Sequence, residues 1–113
     1  MTQGTILVAD DEAAIRDSLS EVLREEKYEV VEVADGLGAI EALQERDFDL
    51  VIADLRMPGA DGLEVLRRAR ERAPQTLVIL VTAYASLETA VEALRQGAHD
   101  YIIKPLIFED VLG

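Results

Sequence analysis

The sequence has no cysteine, which excludes disulfides and thiolate metal sites and leaves the redox compartment open. Aromatic residues are only 4%, so the core must be assembled mainly from Val, Leu, Ile and Ala. No apolar run approaches the roughly 20 residues that a membrane span needs. Met1–Gly4 lacks the basic segment and apolar stretch of a secretory signal, so the expected location is cytoplasmic. Positive charge is scarce: 11 Lys and Arg stand against 23 Asp and Glu, a formal net charge of −12. A surface that acidic repels phosphate backbones and anionic lipid, so neither nucleic acid nor membrane is an expected partner. It suits a divalent cation or a basic protein surface. Histidine occurs once, as His99 after Gly97-Ala98, where a turn residue is a plainer reading than a phosphodonor or a ligand. No glycine-rich nucleotide loop, internal repeat, low-complexity tract or linker is present.

What remains is 113 residues of ordinary globular composition, half of them hydrophobic, enough for one core and no second module. Short apolar runs rich in β-branched residues occur at Thr5–Ala9, Tyr28–Val33, Leu50–Ala53, Leu77–Val81 and Tyr101–Ile103. Longer stretches between them space apolar residues as helices do. Ile15, Leu19, Val22 and Leu23 share a face in the first stretch, opposite Arg16, Asp17, Glu21, Arg24 and Glu25. Ile40 and Leu43 pair in the second, Leu63 and Leu66 in the third, and Leu87, Val91 and Leu94 in the fourth. Pro74 marks the end of the third helix, and Gly97 stands where a C-terminal glycine cap belongs. Strands alternating with helices imply a parallel sheet covered on both faces. The Ile6–Val8 and Leu77–Val81 runs are continuous, as in strands buried on both sides, whereas Glu29 and Glu32 place the second strand at an edge. A fifth helix is expected from near Ile107. Since the sequence ends at Gly113, that helix is expected to be truncated and residues 1–113 to be the N-terminal part of a longer protein.

In open α/β sheets, ligands bind beyond the carboxyl ends of the strands. Asp10, Asp11 and Glu12 follow the first strand, Asp54 the third, Thr82 the fourth, and Lys104-Pro105 the fifth. Each has a plain alternative: Asp10 or Asp11 as a helix cap, Asp54 as a turn cap before Pro58-Gly59, Thr82 as a turn hydroxyl, Lys104 as a solvated lysine. Caps and solvated lysines have no reason to gather at the same end of several strands. Crowded carboxylates repel unless a cation neutralises them, and hard oxygen ligands suit Mg²⁺. A carboxylate can also accept a phosphoryl group, a transfer that needs positioning and charge neutralisation more than covalent machinery. Asp54 would be the nucleophile, with Mg²⁺ on Asp11 and Asp10, and with Lys104 and Thr82 on the phosphoryl oxygens.

Asp10-Asp11, Asp54, Thr82-Ala83 and Lys104-Pro105, with Met57-Pro58 and Asp61-Gly62, resemble the receiver domain of two-component response regulators from about Ile6 onward. The resemblance implies a flavodoxin-like, doubly wound five-stranded parallel sheet in the order 2-1-3-4-5. It implies that Asp54 is the phosphoacceptor, that Asp10, Asp11, Asp54 and the backbone carbonyl of Arg56 hold Mg²⁺, and that Thr82 and Lys104 bind the phosphoryl group. Tyr101 would be the aromatic switch that turns inward with Thr82, although plain core filler is the other reading of that residue. The Lys104–Pro105 bond is expected to be cis, against a base rate of roughly 5% for X-Pro bonds. A histidine kinase would be the phosphodonor and a covalently attached output domain the target. A second copy of the chain is a further implied partner, on a face to which the fifth helix contributes. The stretches Thr82–Ser86, Ala90–Ala93 and Gly97–Tyr101 are similar to receivers of the nitrogen-regulation type, which precede a transcription-activating ATPase and a DNA-binding module.

Three rival readings use the same topology. A haloacid-dehalogenase-type hydrolase would carry a second Asp two positions after its nucleophile, and Arg56 stands there, against turnover of external substrates. A phosphorylation-independent docking module would have dispensed with an acid, Thr82 or Lys104, and all are present. Flavin binding needs a phosphate cradle after the first strand, where Asp10-Asp11-Glu12 would repel the phosphate. Arg67, Arg68, Arg70 and Arg72, beside Glu64 and Glu71, read as the solvated face of the third helix.

Overall fold

The computed structural model describes residues 3–105. Along the chain run β1 (Thr5–Ala9), α1 (Ala13–Glu25), β2 (Glu29–Val33), α2 (Gly36–Glu45), β3 (Leu50–Asp54), α3 (Gly62–Arg72), β4 (Leu77–Thr82), α4 (Leu87–Arg95) and β5 (Asp100–Ile103). All pairings are parallel, in the order β2-β1-β3-β4-β5. The doubly wound order expected from the family resemblance is therefore the observed one, with β2 at an edge. The expected fifth helix lies outside the described residues. No helix among the described residues is long and apolar enough to cross a membrane.

Alternation along the strands divides the core into two layers. Leu7, Ala9, Val51, Ala53, Val78 and Leu80 face α2, α3 and α4, packing with Leu43, Val65, Leu66 and Ala93. Ile6, Val8, Ile52, Ile79, Val81 and Ile102 face the other way, where α1 contributes Leu19 and Leu23. Strands covered on both faces must be apolar throughout, which explains their continuous hydrophobic runs.

The helix ends follow local chemistry. Asp35, Asp61 and Ser86 cap α2, α3 and α4 through side-chain oxygens that accept from Gly38, Glu64 and Thr89 N–H. Gly97, at φ 90°, closes α4: its N–H donates to Leu94 O (3.1 Å) and Ala98 N–H to Ala93 O (2.9 Å). The end of α1 has the same form with Lys27 at φ 74°, and no glycine signals it. Gly36 opens α2 so close to the next loop that a Cβ there would lie 1.8 Å from Ala60 O.

One expectation needs correction, and one is completed by the structure. Asp54 and Thr82 are the last residues of β3 and β4 rather than the first residues after them. Leu87, Val91 and Leu94 do share a face of α4, but that face is open: Leu87 is 82% and Leu94 66% exposed. The sheet instead takes the small Ala93, which lets the helix backbone come close. Periodicity identifies residues on a common face but not the direction in which that face points.

Candidate functional site

The parallel register sets Ala9 beside Ala53 and Asp54 beside Val81, so β1, β3 and β4 end at one level. Asp10 and Asp54 are buried there, with Lys104 after β5 reaching across to them. The Lys104 ammonium lies 2.8 Å from Asp54 Oδ2, 3.2 Å from Asp10 Oδ2 and 2.7 Å from Glu12 Oε1. Burial opposes its charge, but hydrogen bonds to Asp54, Glu12 and Asp10 outweigh that and hold its pKa above the usual lysine range. Asp10 moves the opposite way from a normal ion-paired acid. Burial raises its pKa and the Asp54 charge adds to this, against the Glu12 N–H and Lys104, which lower it. Asp10 Oδ1 accepts from Glu12 N–H (2.9 Å), although the capping residue of α1 is Glu12, whose own side chain makes no cap bond. Arg16 in α1 donates to the Asp10 carbonyl at 2.8 Å and steadies this turn.

Oxygens of Asp10, Glu12 and Asp54 lie within 4.8 Å of one another. Three carboxylates that close form a hard donor set that fits Mg²⁺. Asp11, expected as a principal ligand, lines the same cleft but is not one of these three, and Glu12 is an acid of the cleft that the expectation did not include. The cleft, about 210 Å³, is lined by Asp11, Glu12, Asp54, Arg56, Ala83, Tyr84 and Lys104. On its rim the Arg56 guanidinium stacks over the Tyr84 ring, 4.6 Å from the centroid. The Arg56 backbone N–H donates to Asp54 Oδ1 at 3.1 Å.

Thr82 is fully buried, and its hydroxyl accepts from Tyr84 N–H at 2.9 Å. Tyr101 is half-buried against the core layer of α4, with its hydroxyl 2.7 Å from Thr89 Oγ1. The Lys104–Pro105 peptide is cis. His99 is exposed, away from the acidic cluster, its N–H bonded to Val78 O. Arg67 and Arg68 pair with Glu64 and Glu71, and Arg72 with Asp47, so these arginines form a compensated helix face.

The structure thus has an acidic cleft at the strand ends of a 2-1-3-4-5 parallel sheet, bridged by Lys104. Residues 6–112 match the response regulator receiver domain family, and the chain belongs to it. It is 45% identical over 107 residues to transcriptional regulatory protein ZraR of Klebsiella oxytoca, covering 95% of this chain and 24% of that protein. It is 36% identical over 113 residues to the DNA-binding transcriptional regulator NtrC of Escherichia coli K12, again 24% of that protein. This agrees with the similarity to nitrogen-regulation receivers. The chain spans about a quarter of the length of these curated relatives. The response regulator TrrA of Thermotoga maritima, solved in complex with Mg²⁺-BeF, superposes with a TM-score of 0.83 at 36% identity, over 98% of this chain and 93% of that one.

Proposed function

We propose that Asp54 accepts a phosphoryl group from a histidine kinase with Mg²⁺ present, and that the domain then switches to control an attached output domain in transcription regulation. The observation that carries this reading is the buried Lys104 ammonium held simultaneously by Asp10, Glu12 and Asp54. In the transfer, an Asp54 oxygen attacks phosphorus while the phosphorus–nitrogen bond to the kinase histidine breaks, leaving an acyl phosphate on Asp54 and the imidazole on the kinase. Asp10, Asp11, Asp54 and the Arg56 carbonyl, with Glu12 as a further candidate, would hold Mg²⁺, which would supply charge neutralisation at the acceptor and phosphoryl oxygens. Lys104 remains beside Asp54 to pair with one phosphoryl oxygen, and Thr82 supplies a hydroxyl for another. The modification replaces a carboxylate charge of −1 with an acyl phosphate near −2, a net gain of about one negative charge, and the basic groups facing it bias a pre-existing equilibrium. Drawing Thr82 inward opens space for the Tyr101 ring. The domain turns over nothing beyond its own phosphoryl group. The exposed Leu87, Leu94 and Ile103 favour a homodimer on the α4–β5 face.

The test is labelling by a small-molecule phosphodonor, read as intact mass. The wild type is expected to gain one phosphoryl group only with Mg²⁺ present, and Asp54→Asn none. Acid-stable labelling that persists in Asp54→Asn would refute the assignment.

A further inference from the structure

The hydroxyl of Thr89 makes more contacts than its place on a helix requires. It lies 3.2 Å from the Ser86 carbonyl, 2.9 Å from Ser86 Oγ and 2.7 Å from the Tyr101 hydroxyl. A threonine hydroxyl has one proton to donate and two lone pairs to accept with. A carbonyl can only accept, so the Thr89 proton goes to Ser86 O. With its proton there, the Thr89 oxygen can accept from both Ser86 Oγ–H and Tyr101 O–H, while in each hydroxyl pair either oxygen can be the donor. Ser86 Oγ in turn accepts the Thr89 N–H at 3.1 Å. The Tyr101 hydroxyl is thus tied to the first turn of α4.

The other end of the same loop rests on Thr82, whose hydroxyl accepts from Tyr84 N–H. Residues 83–87 between these two anchor points are exposed. The Thr82 proton is free to be donated to a phosphoryl oxygen while Oγ1 accepts from Tyr84 N–H, so a displacement of the hydroxyl toward the phosphoryl group pulls on Tyr84. That pull acts on the loop that leads into the Ser86 cap, and so on the turn that carries Thr89.

We propose that Thr89 is a positioning residue that latches Tyr101 in its present orientation against α4 and couples the loop after Thr82 to β5. This inference rests on the phosphoacceptor reading above and adds the contact that opposes the switch. Breaking the latch is expected to favour the switched form before any phosphoryl group arrives.

Thr89→Val keeps the shape of the side chain and removes only the hydroxyl, and Thr89→Ser keeps the hydroxyl. Amide and Tyr101 ring resonances are followed by NMR, first in protein free of metal and then with Mg²⁺ and beryllofluoride, an acyl-phosphate mimic. In the free Val variant, Tyr101 signals are expected to move toward their positions in the mimic-bound wild type. Its beryllofluoride midpoint is expected to fall about 2- to 10-fold, the span of one net hydrogen bond. The Ser variant is expected to track the wild type. Tyr101→Phe removes the same bond from its other end, so the double variant with Thr89→Val is expected to shift no further than either single one. A Val variant that titrates like a responsive wild type, or a Ser variant that behaves like Val, overturns the latch and leaves the phosphoacceptor reading standing. A folded wild type with no response at Asp54 overturns that reading and the latch together.

Discussion

Replacing Lys104 with methionine removes a charge while keeping a side chain of similar length, and the consequence can be worked from the surroundings. Asp10 and Asp54 side chains are 4% and 7% exposed, and the single Lys104 charge pairs with both. Removing one partner of a buried ion pair costs about 3–5 kcal/mol, because the remaining charge lies in a poor solvent. Protonation sets a ceiling on that cost. A carboxyl with an ordinary value of 3.8 can be kept neutral at pH 7 for about 4 kcal/mol, and at pH 5 for about 1.6 kcal/mol, at ~1.4 kcal/mol per pH unit. A carboxyl with a raised folded-state pKa binds more protons folded than unfolded, so stability falls as pH rises from 3.8 toward the folded value. The wild type shares this sign, since Asp10 is already raised by burial, but Lys104 limits it. Urea denaturation without metal is therefore expected to show Lys104→Met less stable by about 3–4 kcal/mol at pH 7 and by less than half of that at pH 5. Millimolar Mg²⁺ is expected to narrow the gap, because it binds only the folded cluster. A loss below about 1 kcal/mol at pH 7, or an equal loss at both pH values, would refute the view that Lys104 neutralises this cluster.

Two other perturbations follow from geometry already described. Gly36→Ala forces a methyl toward Ala60 O, and backbone on both sides cannot yield cheaply, so thermal melts are expected to show a loss of about 1–3 kcal/mol; a neutral substitution would contradict the close approach. Tyr84→Ala removes the ring beneath Arg56 at the mouth of the cleft, and is expected to shorten the Asp54 phosphoryl lifetime severalfold by admitting water. A lifetime that does not change, measured by decay of the labelled mass, would show that the stack does not screen the site.

The strands were the most readable part of the sequence. Burial on both faces makes them continuous apolar runs, and the residues at their carboxyl ends then converge by topology alone. That is why Asp10, Asp54, Thr82 and Lys104 could be grouped without coordinates. The stops at Pro74 and Gly97 were equally plain, because each residue type has a backbone reason to stand there. The Lys27 turn was hidden, since lysine carries no signal for a positive φ and tertiary packing imposes it. The outward ridge of α4 was hidden because spacing carries no direction. That Glu12 joins Asp10 and Asp54 depends on how the turn into α1 aims successive side chains. The Thr89–Tyr101 contact joins two elements that the chain separates, and neither residue type advertises the other.

The most direct test of Asp54 as a phosphoswitch is a backbone-amide NMR titration with Mg²⁺, followed by beryllofluoride. Mg²⁺-dependent shifts are expected at Asp10, Asp11, Glu12 and Asp54, spreading with the mimic to Thr82, Tyr101 and Lys104. A folded protein silent at those residues would contradict it, and would mean a receiver fold that serves only as a docking surface.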